Sequence, residues 1–131
     1  MTPLEEEICK LNLIWCNYVN LDHSKTKDRL WYITQYFAYG EMYYQASHWG
    51  YIANDFEGTK CKTIEEAQEE LRDTLLLEIH KHKQYAIRNI ESYREDGMEL
   101  YSIEEYQKWL DVLDGKFLGY IKEVTNNESP T

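Results

Sequence analysis

No stretch of the 131 residues approaches the roughly 20 consecutive apolar positions that a membrane-spanning helix needs. The opening MTPLEEEICKL is acidic, a pattern unlike a signal or transit peptide. Cysteine is scarce: Cys9, Cys16 and Cys61 form an odd set with no CxxC pair, so a reduced, cytoplasmic protein with small buried thiols is expected. Phosphate loops of the GxxxxGK and GxGxxG kinds are absent, and so is a GxSxG elbow. Basic residues are few. Fourteen Lys and Arg stand against 24 Asp and Glu, a formal net charge of −10. Phosphate contacts need a basic patch, so neither direct nucleic-acid binding nor an anionic membrane surface is expected. Such a charge suits a basic protein partner, or simply solubility.

What is present is aromatic. Ten of the chain's nineteen aromatic residues fall between Leu30 and Phe56. Hydrophobic residues make up 43% of the chain, enough for a core without disulfides or metal staples. The length predicts one domain over residues 1–124, followed by a flexible tail over 125–131. Charge is unevenly placed. Residues 29–62 are neutral, and the segments on either side are acidic.

Element signals are written plainly. Thr2, Pro3 and Glu5 spell a helix start, and Leu4, Ile8, Leu11, Trp15 and Tyr18 continue it at helical spacing to near Asn20. Residues 29–39 read as a strand, Gly40 with Glu41 as a turn, MYYQASHW as a second strand, Gly50 as a bulge or turn, and YIANDF as a third strand. KCK at 60–62 offers a short fourth edge. Thr63 and Glu66 form a capping box ahead of a long helix, uninterrupted by Gly or Pro as far as Asp96, with Gly97 as its stop. Ser102 and Glu105 repeat the cap pattern, and Gly115 ends that helix; residues 116–124 fit either a helix or a strand. The expected fold is α+β: a three- to four-stranded antiparallel meander packed by an N-terminal helix, a long central helix and a C-terminal helix.

Candidates for chemistry are thin. In a helix, His80 and His82 point about 200° apart, so HKH is a poor metal pair, and Glu78 with His82 lacks a third ligand. Cys61 lies between Lys60 and Lys62, which would lower its pKa, with His48 as the nearest histidine in the meander. No cofactor, metal or catalytic residue is assigned, and the chain reads as non-enzymatic. An aromatic pocket from Trp31, Tyr36, His48 and Trp49 is the small-molecule alternative.

Two features favour binding. Glu65, Glu66, Glu69, Glu70 and Asp73 cover two helical turns, and neighbours three and four apart lie about 5–6 Å from one another, a repeat comparable with a row of phosphates. In the meander both strand faces are apolar or aromatic: Leu30, Tyr32, Thr34, Tyr36 and Ala38 on one, Trp31, Ile33, Gln35, Phe37 and Tyr39 on the other. One face is therefore either covered by the N-terminal helix or offered to a partner. Short aromatic strands followed by a capped TIEEAQ helix give residues 29–80 a layout that resembles small accessory proteins of phages and mobile elements. The likeness is one of layout and carries over no site residue. The leading expectation is an acidic inhibitor of a basic, nucleic-acid-handling protein, of the anti-defence type such as an anti-CRISPR protein. Glu66, Glu69, Glu70 and Asp73 would supply charge contacts, and Tyr43, Tyr44 and Trp49 would be anchors. The alternatives are an immunity protein that neutralises a toxin, and a homodimer or larger homo-oligomer that binds a small molecule.

Overall fold

The computed structural model describes residues 1–22, 31–49, 54–97 and 100–116. The elements run α1 (Pro3–Asp22), β1 (Trp31–Ala38), β2 (Glu41–Trp49), β3 (Asn54–Glu57), α2 (Ile64–Glu95) and α3 (Leu100–Leu113). This is the expected α+β order, with one three-stranded antiparallel sheet in the order β1-β2-β3. The described residues form two compact units, one ending at Glu78 and one beginning at Ile79, and α2 contributes a half to each.

In the first unit, α1 starts as its sequence dictates. The Thr2 hydroxyl accepts the Glu5 amide and donates to the Glu5 carboxylate, each at 3.2 Å, which satisfies one of the helix's orphan amides. Leu11, Trp15 and Val19 are buried along one stripe. β1 and β2 form a hairpin whose last strand pair is Ala38 with Glu41, so the turn is Tyr39–Gly40, one residue earlier than expected. Both turn residues have positive φ, 52° and 77°, the left-handed pair that a two-residue hairpin with native twist requires. Gly40 adopts this freely, whereas Tyr39 is strained by about 1–2 kcal/mol.

The short pairing segment expected at KCK forms, as a single bridge and not as a separate strand. Cys61 bridges Tyr44, with N–H···O bonds of 2.8 Å in both directions, and Gly58 donates to the Ala46 carbonyl at 2.7 Å. The segment after β3 thus keeps following the same side of β2, because β2 is long enough to pair with both. A register shift falls between His48 and Trp49. The bulge foreseen at Gly50 lies outside the described residues, as do residues 117–124 and the 125–131 tail.

Strand parity sorts the sheet into two faces. Trp31, Ala46 and His48 share one face and are buried there; α1 lies on it, with Trp15 edge-on to His48 and to Trp31 at ring distances of 5.7 and 6.0 Å. Phe56 joins the cluster 5.5 Å from Trp31. The first half of α2 turns Ala67, Leu71 and Leu75 inward, all at most 1% exposed. Each such leucine contributes about 1.5–3 kcal/mol through burial. Arg72 ties this half-helix to Glu7 of α1 at 3.8 Å.

The second unit is an antiparallel helix pair. Among the described residues, Ile79, Ala86 and Ile90 of α2, and Val112 and Leu113 of α3, are its buried apolar residues. Tyr106 sits 5.7 Å from Tyr93, 6.2 Å from Tyr85 and 4.9 Å from Trp109, and Lys83 pairs with Asp114 at 3.2 Å. α2 runs unbroken through the HKHKQ segment, and Gly97 ends it at φ 64°. α3 begins at Leu100, two residues before Ser102, so SIEE is not its cap. Its other end is as expected: Gly115 has φ 82°, and Lys116 returns its amide to the Asp111 carbonyl and its ammonium to the Asp111 carboxylate. That contact raises the Lys116 ammonium above its usual range and lowers the Asp111 carboxyl below its own.

Candidate functional site

Helix α2 opens with the acidic stripe. Thr63 accepts the Glu66 amide at 3.3 Å, which fixes where the helix begins and hence the direction each carboxylate takes. Ala67, Leu71 and Leu75 are buried, so Glu65, Glu66, Glu69 and Asp73 fall on the outward arc and are exposed. Among the described residues, Glu65, Glu66 and Glu69 enter no ion pair. Asp73 is partly neutralised by Arg72 at 3.1 Å.

Glu70 behaves differently from its neighbours. Its Oε1 accepts the Thr59 amide at 2.9 Å and the Thr59 hydroxyl at 3.4 Å, and Cys61 Sγ lies 3.9 Å from Oε2. The carboxylate fits closely over Gly58, where an added Cβ would come within 2.6 Å of Oε1 and 3.3 Å of Ala46 Cβ. Glu70 fastens α2 to the segment leaving the sheet, and its charge is already used within the chain. Sequence spacing grouped it with Glu66, Glu69 and Asp73; the sign that set it apart was a glycine followed by a hydroxyl residue one short loop upstream.

The Cys61 thiol is also corrected. Burial pushes its pKa up, and Glu70 and Glu66 push it further, overriding Lys60 and Lys62. Both lysines are exposed, whereas the thiol is buried. Such a thiol is a poor nucleophile.

Of the aromatic anchors, Tyr43 and Tyr44 point to opposite faces of β2 and cannot grip one partner surface together. Tyr43 stacks on Tyr36 at 5.7 Å and donates to Glu41 at 2.9 Å, a contact that raises its phenol pKa. Lys60 Nζ sits 5.8 Å from the Tyr36 ring centre. With half-buried Tyr32, Thr34 and Gln45, these residues make a partly wet tyrosine face, the one opposite α1. Trp49 ends β2, and its side chain lies outside the described residues. The four-residue aromatic pocket does not form as expected: Trp31 and His48 stack on each other, buried, while Tyr36 is on the other face.

One shallow groove of about 340 Å³ follows α1 past Cys9, Asn12, Leu13 and Cys16, and no charged group among the described residues lines it. Among the described residues no three His, Cys, Asp or Glu side chains are grouped to hold a metal ion, and no helix is long and apolar enough to cross a membrane. Comparison with known proteins finds no matching family model, no matching curated protein and no matching solved structure.

Proposed function

We propose that this chain is a small acidic binding protein, without catalysis of its own, that inhibits a basic, nucleic-acid-handling protein through the first two turns of α2. The observation that carries this reading is the exposed row Glu65, Glu66 and Glu69, none of them ion-paired among the described residues, with Asp73 extending it by a turn. Charges left unpaired on a rigid helix are pre-organised for a cationic groove, and neighbours three and four apart present them about 5–6 Å from one another. The tyrosine face of Tyr32, Tyr36 and Tyr43 supplies stiff contact area of the kind binding surfaces use. Inhibitors of the anti-defence kind, anti-CRISPR proteins among them, are the specific form of this reading.

The test is a charge reversal, Glu66→Lys with Glu69→Lys and Asp73→Lys, compared with the unaltered chain for retention of partners from native host lysate at low and high salt. A basic nucleic-acid enzyme held by the unaltered chain, released by salt, and bound about ten-fold or more weakly by the reversed chain is the expected result. Equal retention and equal salt dependence for both chains would defeat the acidic-surface reading.

A further inference from the structure

Among the described residues β1 is an edge strand, with no further strand on its outer side. The hairpin decides which backbone groups face outward. Ala38 and Glu41 close a two-residue turn, so the even-numbered residues of β1 exchange hydrogen bonds with β2 and the odd-numbered ones point away from it. Asn12 confirms the parity. Its side-chain amide donates to the Trp31 carbonyl and accepts the Trp31 amide, both at 3.0 Å, as a neighbouring strand would. Beyond Trp31 this protection stops. The N–H and C=O groups of Ile33, Gln35 and Phe37 have no partner among the described residues. The strand WYITQYFA contains no lysine, no proline and no charge, the devices that ordinarily guard an edge.

We infer that this edge pairs with β1 of a second copy of the chain, joining two three-stranded sheets into one antiparallel sheet of six strands. The register is its own complement. A two-fold axis at Gln35 sets Ile33 opposite Phe37 of the other copy, Gln35 opposite Gln35, and Phe37 opposite Ile33. All three are outward-facing positions, so each pair exchanges two main-chain bonds, giving about six in all by the narrow-pair rule. The same register ends cleanly. Trp31 would face Tyr39, where Asn12 already caps the one and a φ of 52° takes the other out of the strand. Phe37, 68% exposed, is covered by Ile33 of the other copy, and the two Gln35 amides can donate to each other. A second copy fits better than a foreign strand because the paired segment has no charge to repel its twin, although each chain carries −10. The inference is independent of the inhibitor reading.

Sedimentation equilibrium of the full chain, from low to high micromolar concentration, tests it. The unaltered chain should dimerise. Gln35→Lys alone and Gln35→Glu alone each place like charges face to face and should weaken the dimer about ten-fold, while an equimolar mixture of the two should restore it as a heterodimer. Gln35→Pro removes an outward-facing amide and the 3.5 Å side-chain contact with Met42 but no rung of the β1–β2 ladder, and should give a monomer by sedimentation that is folded by circular dichroism. A monomeric unaltered chain, a dimer indifferent to the Gln35 variants, or a mixture no tighter than either charged variant would each overturn the pairing.

Discussion

Trp15 donates its indole N–H to Nε2 of His48 across 3.2 Å, and Trp31 stacks on the same imidazole with ring centres 4.4 Å apart. An indole nitrogen only donates, so Nε2 of His48 serves as the acceptor of this bond. A histidine 5% exposed between two tryptophans is therefore part of the core. It fixes how α1 crosses β2 through one directional bond inside an otherwise apolar contact. His48→Leu keeps the apolar packing but strands the Trp15 N–H in the interior, and a stability loss of about 1–3 kcal/mol is expected in denaturant unfolding. Trp15→Phe combined with His48→Leu should cost less than the sum of the two, because no donor is then left without an acceptor. Additive losses would show that the bond is incidental to the packing.

Adjacent carboxylates on α2 should separate sharply in their effect on stability. Glu70→Ala removes the acceptor of the Thr59 amide and should destabilise by about 1–2 kcal/mol, whereas Glu69→Ala, one residue away and exposed, should stay within about 0.5 kcal/mol. Gly58→Ala should resemble the first. Glu70 can swing aside from the new methyl only by giving up Thr59, and the Ala46 side chain behind it, 0% exposed, has nowhere to move. Equal stabilities for the Glu69 and Glu70 variants in thermal unfolding would return Glu70 to the exposed row.

What the sequence made legible was periodic or local. The helical spacing of Ile64, Ala67, Leu71, Leu75, Ile79, Ala86, Ile90 and Tyr93 predicts the inner face of α2: the six from Ala67 to Ile90 are buried and Tyr93 is half-buried, while Ile64, in the first turn, is 40% exposed. The Thr2 and Thr63 caps are read from four residues each and both form. The Ser102 cap failed because Leu100 and Tyr101 can join the helix with nothing to stop them, so an N-cap residue fell inside an element. Long-range polar partnerships were out of reach. Asn12 stands 19 positions from Trp31 and His48 stands 33 from Trp15, and no local pattern links them. A polar side chain inside LNLIWC was the one visible sign that α1 had a task besides packing. The candidate site was half legible for the same reason. Spacing puts Glu66, Glu69, Glu70 and Asp73 on neighbouring turns, but it does not reveal that Thr59 occupies one of them.

Tyr106 should titrate late. Burial among Tyr85, Tyr93 and Trp109 penalises its phenolate, and hydrogen bonds with Tyr85 and Tyr93 add to that, so its pKa is pushed up from 10.0 to about 12. The folded chain then holds this proton more tightly than the unfolded chain does. By linkage, the associated stability is complete below about pH 10 and is lost as pH rises through about 12. Of the chain's twelve tyrosines, Tyr106 should therefore ionise late, and that late rise in phenolate absorbance should coincide with a loss of helical circular dichroism. Tyr106→Phe should remove that late step. A late step that survives in Tyr106→Phe, or one that precedes the loss of helix, would mean that the hydroxyl is open to solvent and that the three tyrosines do not share their hydrogen bonds in solution.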